Sequence, residues 1–152
     1  MIHGGGQERN MRAGTENVPG IVGFAKALEI AMQEGEKDQS KIQSIKNYLA
    51  EQLQKNIPGI GFNGDWNGQS LYTVLNVSFP VTPQSELLLM SLDMQGICVS
   101  AGSACSSGAS QGSHVIQGIP GNKQGVPIRF SFSKYNTIAE VDALIEKLKA
   151  LL

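Results

Sequence analysis

Apolar residues recur along the chain with two periods, and these lay out its elements. From Ile21 to Leu53 they fall three or four positions apart: Ile21, Val22, Phe24, Ala25, Leu28, Ile30, Ala31 and Met32, then Ile42, Ile45, Tyr48, Leu49 and Leu53. That spacing predicts a long helical segment over about residues 18–56. Asn17 is placed to cap its start and Pro19 lies in its first turn. Gly35 is a point where it can bend or break, and Pro58-Gly59 ends it. Beyond that the period drops to two. Ile60–Phe62, Thr73–Phe79, Ile97–Ser100 and Pro127–Phe132 read as strands, with an Asn-Gly turn at Asn63-Gly64. A helix opens at Gln84 or Ser85, runs through Leu87, Leu88, Leu89 and Leu92, and ends at Gly96. His114–Ile119 reads as one or two helical turns. Thr137, with Glu140 three residues on, makes a capping box for a last helix faced by Val141, Leu144, Ile145, Leu148 and Leu151.

The order is helix, strand, strand, helix, strand, loop, strand, helix. It predicts an α+β fold: a small antiparallel or mixed sheet of three to four strands with helices on one face, preceded by a long helical arm. Residues 1–16 are glycine-rich and polar and cannot form a core of their own. The chain therefore divides into 1–16, the tail of a preceding domain; 17–56, a linking helical segment; and 57–152, the α+β domain.

Composition excludes several classes. Charged residues are 16% of the 152, against roughly 25% in an average domain. The net charge of −1 leaves no basic excess for a phosphate backbone, so nucleic-acid binding is not expected. The chain is too apolar for disorder, yet no apolar run approaches the length of a membrane span. Met1–Gly6 has neither the basic start nor the apolar core of a signal peptide. Two cysteines, Cys98 and Cys105, make neither a disulfide framework nor a zinc site, and a reducing cytoplasm is the expected compartment. The charge is also uneven: from Met94 to Asn122 there is none, in a stretch rich in glycine and serine.

Cys105 lies at the centre of that stretch, in Ser100-Ala101-Gly102-Ser103-Ala104-Cys105-Ser106-Ser107-Gly108. Its small neighbours cannot bury it, and an exposed thiol oxidises readily. On residues alone it stands equally as a nucleophile or sulfur carrier and as an inert thiol. No charged residue lies near it in sequence, so its activation has to come from elsewhere. Cys98, between Ile97 and Val99, is expected to be buried and structural. Arg129, inside the apolar strand Pro127–Phe132, either faces solvent or aims a guanidinium fork at a carboxylate. The runs Gly4-Gly5-Gly6-Gln7 and Arg12-Ala13-Gly14-Thr15-Glu16-Asn17 either are plain flexible chain or present N–H groups and a hydroxyl to a phosphate. His3 and His114 are too isolated to be ligands.

In this order and spacing, Gly4–Glu8, Arg12–Asn17, Leu75–Phe79, Ser103–Ser107 and Ile128–Ser131 together resemble the C-terminal part of cysteine desulfurases. These are pyridoxal-phosphate enzymes related to class V aminotransferases. The similarity is to the iron–sulfur-assembly type with a long catalytic loop, and it runs the length of the chain. It implies the small C-terminal domain of a fold-type I enzyme, with residues 1–16 the end of the large cofactor domain. It implies that Cys105 is the nucleophile that takes sulfur from L-cysteine as a persulfide while alanine leaves, and a transient iron–sulfur ligand. Arg129 would hold the substrate carboxylate, and Thr15 would reach the cofactor phosphate of the partner subunit in a homodimer. A sulfur-acceptor or iron–sulfur scaffold protein is the implied partner.

One departure stands out. The family's cofactor-anchoring lysine lies in a Ser-x-His-Lys type segment, and no such segment occurs here. The chain alone is therefore expected to be inactive and to bind pyridoxal phosphate weakly at best. The competing readings are a selenocysteine lyase or plain class V aminotransferase, a stand-alone sulfur carrier with Cys105 as persulfide site, and an α+β interaction module without chemistry.

Overall fold

The helical period over residues 18–56 produces one uninterrupted helix, α1 (Val18–Asn56). Asn17 caps it as expected, its Oδ1 accepting the Gly20 N–H at 3.1 Å. Gly35 does not break it. The computed structural model describes residues 2–101, 114–119 and 125–152, which group into two units, one up to Lys37 and one from Asp38 to Leu152.

The first unit holds the glycine-rich start, a short 3-10 turn at Glu8–Asn10 and the first half of α1. Glu8, Arg9 and Asn10 all have positive φ (48°, 55° and 64°). Such left-handed backbone costs non-glycine residues roughly 1–2 kcal/mol each. Along this half of α1, Val18, Ile21, Val22, Phe24, Leu28 and Met32 are all more than half exposed. The apolar face predicted there exists, but the described residues do not cover it.

The second unit carries the core. After α1 come β1 (Gly61–Phe62), β2 (Val74–Phe79), α2 (Pro83–Glu86), α3 (Leu88–Met94), α4 (His114–Gln117), β3 (Val126–Ser131) and α5 (Ile138–Leu151). The strands form an antiparallel sheet in the order β1-β2-β3. Alternation sends Leu75, Val77 and Phe79 of β2 and Ile128 and Phe130 of β3 into the core. There they meet Ile45, Leu49 and Leu53 of α1, Leu88 and Leu92 of α3, and Val141, Leu144, Ile145 and Leu148 of α5. Each such side chain, once buried, contributes about 1.5–3 kcal/mol. The result is the expected α+β architecture, a small sheet with helices on one face.

Local signals explain the ends of the elements. Thr137 and Glu140 form the expected capping box on α5, with the Thr137 N–H donating to Glu140 Oε2 at 2.8 Å. Those hydrogen bonds hold the Glu140 carboxyl below its ordinary pKa. Gly96, at φ +75°, closes α3: Ile97 N–H reaches Leu92 O and Gly96 N–H reaches Asp93 O, both at 2.9 Å.

Two predicted elements differ. The helix expected from Gln84 or Ser85 starts at Pro83, capped by Thr82, and is divided at Leu87, whose φ and ψ of −95° and 4° leave the helical region. The strand expected at Ile97–Ser100 is reduced to one bridge, Ser100 to Arg129. A ladder needs at least two consecutive pairs, and the second does not form.

One side chain differs from its expected setting, and a second is buried at a position that the sequence pattern does not mark. Cys98 is exposed, not buried, because the segment that carries it is not enclosed within the sheet. Lys46, on the inner face of α1, is fully buried. Its ammonium donates to Ser70 Oγ at 2.8 Å and Leu71 O at 3.0 Å, which ties the 65–71 connection to the helix. Desolvation lowers the Lys46 pKa from the ordinary lysine value, and the nearby charge of Asp65 partly offsets this.

Since the folded chain holds the Lys46 proton less tightly than the unfolded chain, stability should rise as pH climbs from the lowered folded value toward the unfolded one. Lys46→Met should abolish that rise and, by stranding the Ser70 and Leu71 acceptors, cost about 1–3 kcal/mol. Urea titrations across alkaline pH would check both, and parallel curves for variant and parent would contradict the assignment. Cys98→Ser should change stability by no more than about 0.5 kcal/mol, as an exposed position allows. A larger loss in the same titrations would place the thiol back in the core.

Candidate active site

The outward positions of the sheet alternate with the core positions and include the polar Asn76, Ser78, Arg129 and Ser131. Asn76 on β2 is directly opposite Arg129 on β3. On the far side of β3, Arg129 exchanges both backbone hydrogen bonds with Ser100: Arg129 N–H to Ser100 O at 2.6 Å and Ser100 N–H to Arg129 O at 3.2 Å. The backbone groups of Arg129 therefore point away from β2, which makes Asn76 and Arg129 the closer, non-hydrogen-bonded type of pair. On the other side of Asn76, Asn63 donates its backbone N–H to Asn76 O at 3.0 Å. Asn63, Asn76, Arg129 and Ser100 thus stand in one row across the sheet.

Arg129 is exposed and, among the described residues, has no ion-pair partner. A guanidinium so placed keeps its full fork of donors for a carboxylate or phosphate. Asn76 is held by its neighbour, as Asn63 Nδ2 donates to Asn76 Oδ1 at 2.7 Å. A groove of about 430 Å³ lined by Cys98, Val99, Phe130, Phe132, Glu140 and Lys147 lies on the side of β3 opposite Arg129. Arg129 is not among the residues that line it.

Thr15 lies in the first unit, on a turn whose shape other residues set. Arg12 Nη1 donates to Gly14 O at 2.6 Å, Arg12 Nη2 pairs with Glu16, and Gln7 Oε1 accepts the Gly14 N–H at 3.2 Å. Gly14, at φ +100°, makes the bend. Thr15 is exposed, and its hydroxyl has no partner among the described residues. It fits a single hydrogen bond to a phosphate oxygen. Arg12, the nearest cation in sequence, is neutralised by Glu16 and, at 3.8 Å, Glu8. Lys46, the one fully buried lysine among the described residues, is committed to Ser70 and Leu71 and is not free to take up a carbonyl group. Taken each by itself, the exposed Thr15 hydroxyl of the first unit suits a phosphate oxygen and the exposed Arg129 of the second suits a carboxylate.

Cys105, expected as nucleophile and transient metal ligand, lies outside the described residues, which hold no cluster of three or more acidic, histidine or cysteine side chains suited to a metal. Ser100, which closes the polar row, precedes Cys105 by five residues, a span of no more than about 18 Å at full extension. The sequence pattern singles out Arg129 and Thr15 but not Asn76 or Ser100 as candidate ligands. The alternation of Leu75, Val77 and Phe79 with Asn76 and Ser78 was the signal that would have found Asn76.

Comparison with known proteins gives a consistent outcome. Residues 3–144 match the family Aminotransferase class-V. The cysteine desulfurase of Nostoc sp. is 42% identical over 148 residues, covering 96% of this chain and 36% of that protein. The cysteine desulfurase IscS of Dictyoglomus turgidum is 36% identical over 154 residues, covering 100% of this chain and 39% of that protein. Among solved structures, a NifS-like protein aligns with a TM-score of 0.76 at 36% identity, over 99% of this chain and 37% of its own. A NifS-like protein from Rickettsia africae aligns with a TM-score of 0.75 at 30% identity, over 99% of this chain and 39% of its own. This chain therefore spans less than two fifths of the length of these relatives, and across that stretch it belongs to the class V aminotransferase family, in the part of it that cysteine desulfurases share.

Proposed function

We propose that this chain is the thiol-bearing part of a pyridoxal-phosphate-dependent cysteine desulfurase, which converts L-cysteine to L-alanine and leaves the sulfur as a persulfide on Cys105. The observation that carries the reading is the exposed Arg129 in the polar row, which pairs with no carboxylate among the described residues and is joined through Ser100 to the segment that bears Cys105.

The cofactor, when bound, supplies an electron sink conjugated with the substrate's Cα. Arg129 holds the substrate carboxylate by a two-pronged hydrogen bond, which fixes the direction in which the rest of the substrate projects. The Cys105 thiolate bonds to the substrate sulfur as the Cβ–S bond breaks, and the electron pair of that bond stays with carbon, which takes a proton to give alanine. Since no charged residue neighbours Cys105 in sequence, the group that removes its proton belongs to another part of the assembly. Thr15 donates its hydroxyl to the cofactor phosphate across the interface of a homodimer. The persulfide passes to a sulfur-acceptor or iron–sulfur scaffold protein, where Cys105 also serves as a transient iron ligand.

In the cofactor-loaded enzyme, Cys105→Ser should abolish sulfide release from L-cysteine while the absorbance of bound cofactor persists. Retained turnover would remove Cys105 from the reaction. Arg129→Ala should raise the KM for L-cysteine by the equivalent of about 2–4 kcal/mol, as loss of a charge-assisted bond implies. Steady-state kinetics would show it, and an unchanged KM would make Arg129 an ordinary surface residue.

A further inference from the structure

One polar group in the row across the sheet has no partner, and its direction is set by residues behind it. The Oδ1 of Asn76 is occupied by Asn63 Nδ2, at 2.7 Å. Asn63 is itself anchored by Ser78: Asn63 Nδ2 lies 3.0 Å from Ser78 Oγ, and that hydroxyl reaches Asn63 Oδ1 at 3.2 Å. Ser78 is buried, so the anchor is part of the fold and not of a mobile surface. With its carbonyl turned to Asn63, the Asn76 amide keeps both N–H donors, and no acceptor meets them among the described residues.

Arg129 is what stands on the open side. The two residues are a non-hydrogen-bonded antiparallel pair, in which side chains on the same face start about 4.5–5.5 Å apart at Cβ. The pair offers one charged fork and one neutral amide, all donors, and no carboxylate pairs with them among the described residues. A carboxylate presents about four lone-pair directions, and a bidentate guanidinium uses two of them. A flanking amide N–H is suited to one of those that remain.

We propose that Asn76 is a second carboxylate-binding residue, donating from Nδ2 to the α-carboxylate of L-cysteine beside Arg129. This rests on the reading of Arg129 as the carboxylate clamp. The pair makes the site select an α-amino acid over the same aminothiol without its carboxylate. Asn76 contributes direction without adding charge: Arg129 alone attracts any anion, whereas the fixed amide admits a flat one in one orientation.

The test uses the cofactor-loaded enzyme and two substitutions. Asn76→Ala removes the donor. Asn76→Asp keeps the shape and the acceptor for Asn63 but replaces the donor with a negative oxygen, which guards against a loss caused by misfolding. The KM for L-cysteine should rise about tenfold in Asn76→Ala, the worth of one hydrogen bond to a charged group, and more in Asn76→Asp. The Kd of L-alanine, which has the carboxylate but no thiol, should weaken in step, whereas inhibition by cysteamine, which lacks the carboxylate, should not change. Unchanged KM in both variants overturns the proposal, and so does an equal loss for cysteamine. Arg129→Ala, measured alongside, separates the two readings. A raised KM there with none in the Asn76 variants removes Asn76 alone, and an unchanged KM there removes the clamp itself.

Discussion

Leu75 faces Phe130 across β2 and β3, and the rest of the second unit depends on that register. Side chains alternate along a strand, so a slip by one residue would turn Leu75, Val77, Phe79, Ile128 and Phe130 out of the core together. The cost would be several buried apolar side chains at once, which no polar contact could offset. The same alternation decides the chemistry. Because the apolar members must face α1, α3 and α5, Asn76 and Arg129 must face the other way and must be neighbours. The polar row is a by-product of packing the core.

Two arginines show how surroundings decide the use of a charge. Arg12 is spent on the chain itself: Glu8 and Glu16 neutralise it, and its hydrogen bonds to the backbone shape the turn beneath Thr15. Arg129 bonds through its backbone to Ser100, which belongs to a sequence stretch from Met94 to Asn122 without a single charged residue, and no described carboxylate competes for it. An arginine can hold a substrate only if the protein leaves its fork of donors open, and a low content of carboxylates favours that.

Much of this was legible in the residues, because the signals were local or periodic. The helical span of α1, the Asn17 cap, the Thr137-Glu140 box and the Gly96 terminus each follow from a few neighbouring side chains. Strands β1, β2 and β3 followed from alternation. The readings that failed depended on distant parts of the chain. Cys98 has apolar neighbours in sequence, but its exposure depends on whether Ile97–Ser100 pairs along its length, and it pairs at one residue only. The burial of Lys46 had no local signal either, since it depends on its bonds to residues 70 and 71, more than twenty positions away. The break at Leu87 follows from the requirement that Leu88 and Leu92 reach a core which Leu87 does not. The candidate site was legible as a set of residues and not as an arrangement. The pairing of Asn76 with Arg129 needed the register of two strands that lie far apart in sequence.

The bare apolar flank of the first half of α1 gives the chain a solution behaviour of its own. Val18, Ile21, Val22, Phe24, Leu28 and Met32 follow one another along the helix, and no described residue covers them. Any surface that covers them removes a contiguous apolar area from solvent, and that gain belongs to the complex and not to the folded chain. By mass action, the apparent melting temperature then becomes a function of protein concentration and of what else is in the tube. A thermal midpoint for this molecule is thus a point on a binding isotherm as much as a property of its core.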